Sequence, residues 1–72
     1  MISQISAIDL AGIARAHGSI EVDAQAYSAI DLKGIAVALQ PGTYLKLFNS
    51  HTKSSNELAG ISKGKPGQVV FA

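Results

Sequence analysis

Apolar and polar positions follow two rhythms along this chain, and the rhythms take turns. Leu10, Ile13 and Ala14 recur at helical spacing, as do Leu32, Ile35, Ala36 and Leu39, and then Leu58 and Ile61. Such spacing gathers apolar side chains on one stripe of a helix. Between these stretches the period drops to two. Ser19-Ile20-Glu21-Val22-Asp23-Ala24 sets apolar against polar residue by residue. Thr43-Tyr44-Leu45-Lys46-Leu47-Phe48 puts Leu45 and Leu47 on one side and Tyr44, Lys46 and Phe48 on the other. Gln68-Val69-Val70-Phe71 is the last such stretch. Period two marks half-buried strands. The predicted order is helix, turn, strand, written three times.

The helical stretches are also copies of one another. Ser6-Ala7-Ile8-Asp9-Leu10-Ala11-Gly12-Ile13-Ala14 returns as Ser28-Ala29-Ile30-Asp31-Leu32-Lys33-Gly34-Ile35-Ala36, with eight of nine residues identical. Ser54-Ser55-Asn56-Glu57-Leu58-Ala59-Gly60-Ile61-Ser62 keeps five of the nine. Each copy opens with Ser and an acid three residues on, which is the pattern of a helix cap. The acid also complements the positive end of the helix dipole. Stop signals follow at Gly18, at Pro41-Gly42 and at Gly64 to Gly67 around Pro66. Gly12, Gly34 and Gly60 share one register inside the helices. Glycine there costs about 1 kcal/mol against alanine, so its recurrence predicts close approach of neighbouring elements. The repeated Leu and Ile are expected in the core.

Strands joined through a helix run parallel with right-handed crossovers. The expectation is therefore an α/β fold of one domain. It is a miniature right-handed α/β solenoid with repeats near 6–26, 28–50 and 54–72. A three-stranded parallel sheet carries short helices on one face. Ile2 and Ile5 would add a short fourth strand. The plan is similar to leucine-rich repeats, which also stack one strand and one helical segment per repeat. The likeness is architectural only. The Leu-x-x-Leu-x-Leu-x-x-Asn signature is absent, and Tyr44-Leu45-Lys46-Leu47-Phe48-Asn49 is a faint echo of it.

Composition narrows the function. The chain has 72 residues, no cysteine and 47% hydrophobic residues. Disulfides and thiolate metal sites are excluded, and so small a domain relies on tight packing or oligomerisation. The two histidines and five carboxylates are too dispersed to suggest a metal, and no cofactor is implied. The net charge is +1, too small for bulk attraction to nucleic acid or membrane. It is unevenly spread: residues 1–26 carry −2, residues 27–50 carry +1 and residues 51–72 carry +2. The first residues lack a basic, apolar leader, and the longest apolar stretch, Ile35 to Leu39, is far below spanning length. A cytoplasmic location is expected.

Candidate chemistry is sparse. Gly60-Ile61-Ser62-Lys63-Gly64-Lys65-Pro66-Gly67 is rich in Gly and Lys, but its spacing and the strand after it do not fit a phosphate-binding loop. His17 and His51 read as surface residues. The acids Asp9, Asp31 and Glu57 are accounted for by capping. No acid, base and nucleophile converge, so an enzyme is not expected.

Three surfaces remain. Glu21, Asp23, Tyr44, Lys46 and Phe48 share the open sheet face. Val69, Val70 and Phe71 form an edge strand without the charge that usually blunts one. His51, Lys53, Lys63 and Lys65 form a candidate basic patch. The favoured expectation is a protein-interaction or structural module acting through the open face or the edge, with a homo-oligomer, a dimer foremost, or another protein as partner. The alternative is nucleic-acid or anionic-ligand binding by the basic patch, with phosphate contacts and aromatic stacking.

Overall fold

Ser6, Ser28 and Ser54 each stand in extended backbone and accept a hydrogen bond through Oγ from the N–H three residues on. The donors are Asp9, Asp31 and Glu57, at 3.2, 3.1 and 3.2 Å. Each serine satisfies an orphan donor of a first turn and so starts a helix. These are α1 (Ala7–Arg15), α2 (Ala29–Ala38) and α3 (Ser55–Ser62) in a computed structural model that describes residues 5–72. Among the described residues only the longer Glu57 side chain closes the reciprocal bond, accepting Ser54 N–H at 2.9 Å.

That bond has a pH signature. The Ser54 backbone N–H chiefly, then the Ser54 side chain and the Lys53 charge, hold the Glu57 carboxyl below its ordinary 4.5. A carboxyl lowered on folding stabilises above its unfolded value and loses that contribution as pH falls through the folded one. Urea midpoints should therefore drop as pH falls below 4.5, and Glu57→Gln should flatten that slope. An unchanged slope in the variant would refute the assignment.

The turn after α1 departs from expectation in one detail. Gly18 was expected to supply the helix stop, yet the left-handed residue is His17, at φ 69°. Gly18 N–H donates to Ile13 O at 3.0 Å and His17 N–H to Ala14 O at 3.1 Å, the paired bonds of a left-handed cap. Gly18 is needed for room: a Cβ there would lie 2.6 Å from Ile13 Cγ2.

The strands are β1 (Ile20–Asp23), β2 (Leu45–Phe48) and β3 (Val69–Phe71). They form one parallel sheet in the order β1-β2-β3. The register aligns Ile20, Leu45 and Val69, then Glu21, Lys46 and Val70, then Val22, Leu47 and Phe71. Helix and strand alternate along the chain, as the two rhythms predicted. Two 3-10 turns, Ala24–Ala26 and Ser50–Thr52, follow β1 and β2 and were not anticipated. The first starts where Asp23 accepts Gln25 N–H at 2.9 Å. The strand expected through Ile2 falls on residues outside those described. Ile5 lies in a bend, and its carbonyl accepts the Tyr27 hydroxyl.

The core lies between the sheet and the helices. Ile20, Val22, Leu45 and Leu47 meet Leu10, Leu32, Ile35, Leu39 and Ile61, all fully or almost fully buried. Each such side chain contributes about 1.5–3 kcal/mol by leaving water. Neighbouring helices pack in order, α1 on α2 and α2 on α3.

Two expectations about the repeated residues fail. The glycines are not close contacts: a Cβ at Gly12, Gly34 or Gly60 would meet nothing within 4 Å. Nor is every repeated isoleucine in the core. Ile35 on α2 and Ile61 on α3 are each 1% exposed, whereas Ile13, at the same register of α1, is 41% exposed. Ile8 and Ile30 are 81% and 85% exposed. No described helix is long and apolar enough to cross a membrane.

Candidate functional site

Alternation puts every second strand residue on the face away from the helices. Glu21 and Asp23 of β1, Lys46 and Phe48 of β2, and Val70 of β3 occupy it, with Tyr44 just before β2. The five predicted face residues are thus brought together. Much of their polarity is spent on one another. Tyr44 Oη donates to Glu21 Oε2 at 2.7 Å. That bond, with the repulsion a phenolate would meet, holds the Tyr44 hydroxyl above its ordinary 10.0. Lys46 Nζ sits 5.0 Å from the Phe48 ring centroid, a cation–π contact. Asp23 is occupied by its own turn.

The β3 edge is arranged differently. Leu45 N–H donates to Gln68 O at 2.8 Å, and Ala72 N–H donates to Leu47 O at 2.9 Å. In a parallel ladder a residue turns both backbone groups to one neighbour, and the next residue turns both away. Gln68, Val70 and Ala72 therefore face β2, while Val69 and Phe71 point their N–H and C=O groups to the open side. The side chains are open too. Along one inward row Val22 and Leu47 are 0% exposed, whereas Phe71 is 39% exposed. Val70 is 45% exposed on the opposite face. The strand is held from behind by Ser50, whose N–H and Oγ both donate to Ala72 O, at 3.2 and 3.0 Å.

No protein-family model, curated protein or solved structure matches this chain. The surfaces must therefore be weighed on their own chemistry.

The basic residues do not gather at one point along α3. His51 lies in the 3-10 turn before that helix and Lys53 ends it, whereas Lys63 caps α3 and Lys65 follows. An eight-residue helix, about 12 Å long, stands between the two pairs. Among the described residues, no group of three or more His, Asp or Glu is placed to hold a metal ion.

The helix layer, in contrast, holds a surface that sequence reasoning missed. A groove of about 330 Å³ runs between α1 and α2, lined by Ala7, Ile8, Ala11, Arg15, Asp31 and Gly34, with Ile30 and Ile35. A smaller one, about 150 Å³, lies between α2 and α3 against Ile30, Lys33, Glu57 and Gly60. The signal was present in the sequence. Ile8 and Ile30 fall two residues before Leu10 and Leu32, which at 100° per residue is the opposite side of the helix from the core.

Proposed function

We propose that this chain is a small, non-enzymatic interaction module that takes an extended segment of a partner protein at the open edge of β3. In this reading the three helix–strand units are turns of a short α/β solenoid. The C-terminal end of that solenoid is where a further strand adds. The observation that carries the reading is the inward row Val22, Leu47, Phe71, closed at its first two positions and open at the third. An added strand would pair with the outward N–H and C=O groups of Val69 and Phe71 and cover the Phe71 ring. Backbone bonds would supply affinity, and alternate side chains specificity. The sheet face is a weaker candidate, because Tyr44, Glu21, Lys46 and Phe48 already engage each other.

Peptide display selected on the folded protein tests this. The expected binders are extended peptides rich in β-branched and aromatic residues. Phe71→Pro removes an outward N–H and no ladder bond to β2, so the variant should keep its fold and lose binding about tenfold or more. Peptides that bind the variant equally well would contradict the proposal. The alternative, an anionic ligand on Lys53, Lys63 and Lys65, predicts oligonucleotide binding that weakens steeply with salt. Such binding without peptide binding would replace the first reading.

A further inference from the structure

Ile8 and Ile30 are the most exposed large apolar residues described, and they are copies of each other. The fold does not use them. It does not use the room beside Gly12 and Gly34 either, where an added Cβ would meet nothing. Isoleucine and glycine stand four residues apart on each helix, so both lie on the outward stripe. On α2 the stripe continues to Val37, 52% exposed. Two helices thus present the same apolar ridge with the same notch, on the face remote from the sheet.

The charges say what covers it. Both helices are acidic in their first turn, at Asp9 and Asp31, and α1 is basic in its last turn, at Arg15. Arg15 and Asp31 line the same groove between α1 and α2. Arg15 lies three residues after Gly12, and Asp31 three residues before Gly34. At 1.5 Å per residue each is about 4.5 Å from the level of its glycine, in opposite directions. A two-fold axis lying across the two glycines reverses the helix direction and exchanges those levels. It sets Arg15 of one copy over the Asp31 position of another, twice in the same contact. It also sets Ile30 over Val37, four residues before and three after Gly34, and brings the Arg15 stem over Ile8. The face is therefore complementary to itself in charge, with apolar side chains meeting apolar ones.

We propose that the α1–α2 face is a homodimer interface, in which two copies pack antiparallel across Gly12 and Gly34. The glycines allow the helices to approach there. Arg15 and Asp31 fix the register, since a parallel arrangement would bring like charges together. This surface is separate from β3 and leaves the strand edge free.

Sedimentation equilibrium from micromolar to millimolar protein tests the proposal. The parent chain should show a monomer–dimer equilibrium. Gly34→Leu fills space that is empty in one copy, so its thermal stability should hold while dimerisation weakens about tenfold or more. Arg15→Glu and Asp31→Lys should each be monomeric alone, because each sets like charges face to face. Mixed in equal amounts they should form a heterodimer, in which both contacts again join opposite charges. A parent chain that stays monomeric at millimolar concentration overturns the proposal. So does a dimer that survives Gly34→Leu but is lost in Phe71→Pro, which would move the contact to β3.

Discussion

Leu32→Ala should remove a large part of the stability of this chain. Leu32 is fully buried in the central helix, within the core cluster that joins the helices to the sheet. Truncating such a leucine removes its transfer free energy and leaves a cavity, costing about 2–5 kcal/mol. A chain of 72 residues has a total of roughly 4–11 kcal/mol at the usual scale per residue. The variant should therefore show a urea midpoint far below that of the parent, or be partly unfolded in buffer. Ile30, two residues away, is 85% exposed. Ile30→Ala should shift dilute-solution stability by no more than about 0.5 kcal/mol. Equal losses at both positions would contradict the described core.

The second large effect has the opposite sign. Replacing Gly12, Gly34 and Gly60 together by Ala should stabilise the monomer. Each site is helical, and a Cβ at each meets nothing within 4 Å. Alanine is favoured over glycine in a helix by about 0.8–1.0 kcal/mol. The three sites lie on separate helices, so the gains should add to roughly 2–3 kcal/mol. For a domain of this size that raises the melting temperature by roughly 10–20 °C. Thermal unfolding in dilute solution measures it. If the glycines were packing contacts, the same three methyl groups would lower the melting temperature instead.

That contrast shows where the sequence could be read and where it could not. The alternation of helix and strand was legible, because each element carries its own period and each helix its own cap. Ser6, Ser28 and Ser54 act as the spacing to their acids implied. The inward positions Leu45 and Leu47, and the outward Tyr44, Lys46 and Phe48, follow from period two alone. Gly12, Gly34 and Gly60 misled because a repeated glycine has two physical explanations. One is a neighbour too close for a side chain, and the other is an open notch. Their register cannot separate the two; only the distance to the next atom can. Ile13 and Ile35 show a related limit. The same register is exposed on α1 and buried on α2 and, at Ile61, on α3, and that difference belongs to the assembly of elements. Gly18 and His17 exchanged roles because the left-handed residue of a helix cap is set by hydrogen bonds to Ile13 and Ala14.

The candidate surfaces divide in the same way. The sheet face was recoverable from parity, and the β3 edge from the lack of charge in Val69, Val70 and Phe71. That Lys63 and Lys65 lie beyond α3 from His51 and Lys53 required the helix bounds. The α1–α2 face does not follow from the repeat itself, because residues shared between copies serve folding at some registers and the surface at others. Ile8 and Ile30 are shared and solvent-exposed, so the repeat contains a surface as well as a core.

Amide hydrogen exchange along β3, followed by NMR in dilute solution, bears most directly on the open edge at the centre of this account. Val70 and Ala72 donate toward β2 and should exchange slowly. Val69 and Phe71 donate outward and should exchange at least about tenfold faster. Equal protection at all four positions would mean that β3 is covered on both sides, and the open edge would not exist.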